Sequence, residues 1–248
     1  MTRSLKWVGI PVAAAVAALL ILAFGPLVGI RLIGGSHYSI PGNAMAPAIV
    51  AGDRILALPI RHGVPRRGTV VVFRHPKKPG VDYVKRVIAF AGETAQMRSG
   101  VVHIDGEAAR MERIADRVVP RLLQGQPPSY PRCANAPVAL GGDCIQEQWR
   151  EILPDGTSQI VLNIVGEIGA ARQSGVSGLD DTPIFTVPEG HVFVLGDNRD
   201  NSVDSRFEAM GMIPVDNLRY SAWIVHSSSD RPQNPWRLHF ERFFKRIE

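Results

Sequence analysis

Along most of this chain, hydrophobic and polar positions alternate in short runs, which predicts strands rather than helices. Residues 55–59, 69–74, 81–90 and 101–104 read as strands, and the Asp105-Gly106 pair after the last of them marks a hairpin. Residues 38–41 are expected to be extended ahead of a turn. Core-like strands return at 187–195 and 220–225. Between about 108 and 183 the pattern loosens and becomes rich in Gly, Pro, Arg and Gln, as expected of an inserted β subdomain.

Two stretches depart from alternation. Residues 7–30 carry no charge and are flanked by Arg3, Lys6 and Arg31. A helix of that length, at ~1.5 Å per residue, crosses a bilayer core of ~30 Å. It exceeds the ~7–15-residue apolar core of a cleavable leader. The basic head places the N-terminus in the cytoplasm and the rest of the chain outside, in the periplasm or its equivalent. At the other end, Trp236, Phe240, Phe243, Phe244 and Ile247 recur at helical spacing, with Arg237, Arg242, Lys245 and Arg246 between them. That predicts a short basic amphipathic helix, which either docks on a membrane surface or packs on the domain's own core. The expected architecture is mostly β. A head and transmembrane anchor at 1–33 precede a β domain in two parts, 34–107 and 184–248, split by the insertion at 108–183.

Composition narrows the function. The 248 residues, 45% of them hydrophobic, suffice for one sizeable domain with an insertion. The net charge of +5 is spread over small clusters, with no zinc-finger spacing, aromatic RNA-binding motif or recognition-helix pattern. A nucleic-acid partner is therefore not expected, and an anionic lipid bilayer accounts for the charge better. The two cysteines, Cys133 and Cys144, lie in a Pro/Gly-rich region. In an exported domain they suggest one disulfide, with free thiols the alternative. The seven histidines have no ligand spacing, and no metal or cofactor is expected.

The candidate chemistry lies in three segments. The first is the loop 196–206, GDNRDNSVDSR, which leaves the apolar run 191–195 and holds apparent ion pairs of Asp197 with Arg199 and Asp204 with Arg206. Charges on a loop positioned by a rigid strand suit the support of a site, whereas a solvated, salt-bridged turn is the plainer alternative. The second segment is Asp82-Tyr83-Val84-Lys85-Arg86. Strand alternation puts Lys85 on one face with Tyr83 and Val87, where desolvation would lower its pKa from ~10.4. A solvated lysine on an edge strand is the alternative. The third is Ile40-Pro41-Gly42-Asn43-Ala44-Met45-Ala46-Pro47, followed by Gly52-Asp53.

Together, and behind the expected anchor, the three resemble type I signal peptidases, membrane-anchored serine-lysine proteases that remove signal peptides from exported preproteins. The resemblance covers the anchor, residues 38–92 and 187–225, and its loop motif is nearly complete over eleven positions. It implies a signal-peptidase-type β domain, Lys85 as general base and Ser202 as the serine that orients it. Arg86, Asp197, Asp204 and Arg206 become the charged scaffold. Gly42 takes a position where some members place a hydroxyl, and Ile40, Met45 and Val84 become candidate substrate-binding residues. The nucleophile position is Ala44, which cannot form an acyl-enzyme. Three readings of Ala44 stand open: an engineered substitution, a naturally inactive homologue that binds signal peptides or regulates a partner, or replacement by another hydroxyl such as Ser36 or Ser39. A maturation peptidase of a conjugation or secretion system shares the motifs and remains a further alternative.

Overall fold

The computed structural model describes residues 14–17, 25, 28–61, 63–164, 180–230 and 234–248. The expected membrane span at 7–30 lies for the most part outside them. Among the described residues no helix is long and apolar enough to cross a membrane.

Four strands open the main sheet: β1 (Ser36–Ser39), β2 (Asp53–Pro59), β3 (Val70–Arg74) and β4 (Asp82–Phe90). A smaller sheet follows with β5 (Thr94–Arg98), β6 (Val101–Ile104) and β7 (Glu107–Ala108), the last two joined at the Asp105-Gly106 turn. The insertion supplies β8 (Arg110–Arg113), β9 (Arg117–Pro120), β10 (Asp143–Gln146), β11 (Gln148–Ile152) and β12 (Ser158–Leu162). The chain then returns through β13 (Phe185–Thr186), β14 (His191–Leu195), β15 (Ile213–Pro214), β16 (Leu218–Asp230) and β17 (Asn234–Leu238). In the main sheet the order is β1-β2-β16-β3-β4-β14-β15, with β17 added on β16. The smaller sheet runs β13-β5-β6-β7, and the insertion forms β12-β11-β8 and a β9–β10 ribbon.

Burial explains the pattern of the strands. Val70, Val71, Val72 and Phe73 are all buried, so β3 is covered on both faces and reads as a continuous apolar run. One core cluster includes Ile40, Met45, Ile49, Ile55 and Val70, and another includes Val71, Phe73, Val87, Val192 and Val194. In the insertion, Cys133 and Cys144 form a disulfide, which packs with Val119 and Val138 in a small separate cluster.

The tail is not the amphipathic helix its spacing predicts. It forms β17, antiparallel to the end of β16, and then a single 3-10 turn at Phe240–Arg242. From there it runs back along β16, where Val225 N–H donates to the Lys245 carbonyl (2.8 Å) and Ile247 N–H to the Trp223 carbonyl (3.0 Å). Two causes favour this path. Trp236, Leu238 and Phe240 also alternate at period two, so the pattern is equally that of a strand. The long β16 offers backbone partners that a helix would leave unpaired, and Phe244, at φ 58°, breaks any helical run.

Candidate active site

Lys85 lies in the interior of the main sheet, on β4 between β3 and β14 and opposite Val71. It is therefore not on an edge strand, and only 3% of it is exposed. Its Nζ donates to the Val84 carbonyl (3.1 Å) and stands 5.7 Å from the Tyr83 ring centroid. Burial pushes its pKa down to about 8, against the opposing pull of the Asp204 and Asp197 carboxylates. At pH 7 about a tenth of such an amine is neutral, where an ordinary lysine is almost wholly charged.

Arg86 joins strand to loop. Its Nε and Nη2 donate to the two carboxylate oxygens of Asp197 at 2.7 and 2.6 Å, and its Nη1 to the Gly68 carbonyl (2.6 Å). The expected pairing of Asp197 with Arg199 is thus not formed. Arg199 is instead bidentate to Glu151 of β11, with Nη1 at 2.6 Å from Oε1, and both side chains are buried. Each charge is met from a different sheet, Asp197 by Arg86 of β4 in the main sheet and Arg199 by Glu151 of β11 in the insertion's sheet. Asp204 and Arg206 do pair, at 2.8 and 2.9 Å. Burial pushes the Asp204 carboxyl up, but the Arg206 guanidinium, the Gly196 N–H and Lys85 outweigh it and hold it below the usual carboxylate range.

The loop in turn holds the Ala44 turn. Asn198 donates its N–H to the Ala44 carbonyl (3.1 Å) and its Nδ2 to the Asn43 carbonyl (3.2 Å). Gly196 packs against the same point, where a Cβ would lie 2.2 Å from Ser202 Oγ and 2.5 Å from the Ala44 carbonyl oxygen. Within the turn, Asn43 Oδ1 accepts from Ala51 N–H (2.9 Å) and Asp53 Oδ2 from Val50 N–H (2.9 Å). Arg242 clamps it from the tail, donating through Nε to Asp53 Oδ1 (2.9 Å) and through Nη2 to the Ala48 carbonyl (3.1 Å).

Ile40 and Met45 share one buried cluster, and Val84 packs against it. Gly42 faces open space, with nothing within 4 Å of an added Cβ. Ser202 Oγ is buried and, among the described residues, has no hydrogen-bond partner. The lysine-to-serine bond that the resemblance implies is not made, because Lys85 Nζ turns to the Val84 carbonyl. Ser39 is exposed on β1, opposite Arg54. The geometry therefore offers a buried amine of weakened basicity and a turn with a methyl group at position 44, joined through the 196–206 loop, which meets the lysine strand at Arg86 and the turn at Asn198.

Sequence reasoning missed Gly196, Asn198, Glu151 and Arg242. The first two stand inside the loop motif and were in plain view. Glu151 had only a faint signal, an acid sharing a strand face with Trp149. Arg242 was hidden by the helical reading of the tail.

Residues 10–226 match the family described as signal peptidase, peptidase S26. Signal peptidase I of Aquifex aeolicus is 29% identical over 210 residues, covering 79% of this chain and 77% of its own. The enzyme of the same name from Pseudomonas fluorescens is 27% identical over 230 residues, 83% and 69% of the two chains. A solved signal peptidase I from Enterococcus faecalis is 20% identical, with a TM-score of 0.32 over 64% of this chain and 97% of its own, a likeness too low to bear on the fold. With a family match that spans the β4 lysine, the 196–206 loop and the turn they flank, this chain belongs to the signal peptidase family, peptidase S26.

Proposed function

We propose that this chain binds the signal peptides of exported preproteins in an extended conformation at the Ala44 turn and, with alanine at the nucleophile position, does not cleave them. The observation that carries the reading is the intact support around a missing hydroxyl. Lys85 is buried with a pKa of about 8, and Asn198 and Gly196 hold the Ala44 carbonyl in place. Ile40, Met45 and Val84 supply an apolar lining suited to small side chains. Lys85 has the basicity of a general base, but a methyl group gives it no proton to take.

In this reading residues 7–30 anchor the chain in the plasma membrane, with the β domain on the extracytoplasmic side. The exposed aromatic groups of the tail support its apposition to lipid, Trp236 being 89% and Phe240 69% exposed. Relatives that carry serine at this position would use the same lysine as base.

The test uses the full chain in detergent with a fluorescent signal peptide that spans its cleavage site. The chain as it stands should bind without cleaving, Ala44→Ser should cleave, and Lys85→Ala in the Ala44→Ser chain should stop cleavage. Lysine-dependent cleavage by the chain with Ala44 would overturn the inactive reading. Absence of binding would overturn the function itself.

A further inference from the structure

Among the described residues, the insertion meets the Ala44 turn through main-chain contacts at 124–129. A tight turn at 124–129 is closed by reciprocal backbone hydrogen bonds between Gln124 and Ser129, at 2.9 and 3.0 Å. It lies directly on residues 41–43. Gln126 N–H donates to the Pro41 carbonyl (2.6 Å), and Asn43 Nδ2 donates to Gln124 Oε1 (2.7 Å). Gly125, at φ +77°, permits this approach, because a Cβ there would lie 2.5 Å from the Pro41 carbonyl oxygen.

Beside this contact runs a groove of about 860 Å³, which starts at Asn43, Val50 and Ala51 and passes between the insertion and the tail. Its insertion wall is apolar and exposed, with Val118, Leu122, Leu123 and Leu140 half or more open to solvent or close to it. Its tail wall is polar and carries both signs of charge, with Asp230, Arg237, His239, Glu241 and Arg242. Arg117 lies between them. It donates to the Gln146 amide oxygen and, among the described residues, has no carboxylate paired with it, whereas the nearby Arg242 is already paired with Asp53. Burial and the Arg242 guanidinium disfavour the Arg117 charge and the Asp53 carboxylate favours it, and a carboxylate arriving from the groove would supply the direct ion pair that Arg117 lacks.

The groove shares the Ala44 turn with the proposed peptide site but uses none of Ile40, Met45 or Val84. A polypeptide whose small side chains rest on those three residues must continue past Ala44 in another direction. We propose that the groove holds that continuation: the extended stretch beyond the peptide bond seated at Ala44, with apolar side chains against Leu122 and Leu123 and an acidic one facing Arg117. The inference rests on the signal-peptide reading above and adds the side of the substrate that the insertion selects.

The experiment compares fluorescent peptides on the full chain in detergent. One ends at the residue before the bond. The others continue for about six residues, roughly 20 Å when extended, and carry leucine with either aspartate or lysine. The acidic extension should tighten binding about tenfold over the short peptide, and the lysine extension should not. Leu122→Asp with Leu123→Asp should abolish the gain, as should Arg117→Gln separately, each leaving the short peptide's affinity unchanged. The two leucines are 46% and 47% exposed, so their replacement spares the core. A gain that is absent, or that survives both variants, overturns the groove while leaving the signal-peptide reading standing. If neither peptide binds, both readings fall. If the leucine variant weakens binding to phosphatidylglycerol vesicles but leaves peptide affinity intact, the rim is a lipid contact and the proposal is wrong.

Discussion

Gly196 leaves room for the Ser202 hydroxyl and for nothing else, since a Cβ there would stand 2.2 Å from Oγ and 2.4 Å from the Ser202 Cβ. The same point is 2.5 Å from the Ala44 carbonyl oxygen, so the crowding passes directly into the turn. Gly196→Ala should therefore destabilise the chain by about 1–3 kcal/mol, the usual range for overpacking, read as a lower urea midpoint. In an Ala44→Ser background the same change should lower cleavage more than it lowers peptide binding. Unchanged stability would mean that the loop yields more easily than its buried ion pairs suggest.

Lys85 burdens the fold that it equips. Its folded pKa of about 8 lies below the ordinary lysine value of 10.5, so folding favours the neutral amine. The stability tied to that neutral form is present above the unfolded pKa and is lost as pH falls through the folded one. Below pH 8 the buried ammonium thus costs on the order of 3 kcal/mol, at 1.36 kcal/mol per pKa unit. Lys85→Met should raise the melting temperature at pH 7, and the advantage should shrink between about pH 8 and 10.5. An equal advantage at every pH would point to packing rather than charge.

The same group sets the pH dependence of any restored chemistry. In the proposed reading, with serine at position 44, the base is the neutral amine, whose fraction grows tenfold per unit below its pKa. For Ala44→Ser, kcat/KM on a signal-peptide substrate should rise with pH and level off near the Lys85 pKa of about 8. A profile already flat at pH 6 would require a different base.

The strands of the main sheet were legible because alternation and continuous apolar runs report burial directly. The central strand β3, Val70–Arg74, and the lysine-bearing β4, Asp82–Phe90, stand within a residue of where the pattern places them. Local pattern could not choose the partners of charges. Asp197 and Arg199 are two residues apart, yet they pair with Arg86 and Glu151, which lie 111 and 48 residues away. It also misjudged the tail, where aromatic spacing fits a helix and a strand alike and only the backbone of β16 decides. The pattern carried no hint that the 124–129 turn lies on Pro41, since that contact is between main chains.

The Glu151–Arg199 pair ties the insertion to the site. Both groups are buried, Glu151 also accepts from Gln159 Nε2 (2.6 Å), and Arg199 also donates to the Gly196 carbonyl (3.1 Å). Glu151→Ala would leave a buried guanidinium without its carboxylate, a loss of about 3–5 kcal/mol. The double change Glu151→Leu with Arg199→Met should cost much less, because no charge is stranded. Chemical denaturation of the three variants separates these outcomes. If the double variant proves as unstable as the single one, the pair contributes through hydrogen-bonded geometry rather than through balanced charge.

The disulfide stabilises the part of the insertion that faces the groove. Cys133 and Cys144 are 11 residues apart and pack on Val119 of β9, the strand that also carries Arg117 and Val118. Closing a loop of that size is worth about 3 kcal/mol in the chain-entropy account. The β9–β10 ribbon sits apart from the main sheet, so the loss should be local. Reduction, or Cys133→Ser with Cys144→Ser, should speed amide exchange in residues 117–146 and leave β3 and β4 protected. It should also remove the affinity gain of the acidic extended peptide while the short peptide binds as before. Equal loss for both peptides would show that the insertion braces the Ala44 turn itself and not only the groove beside it.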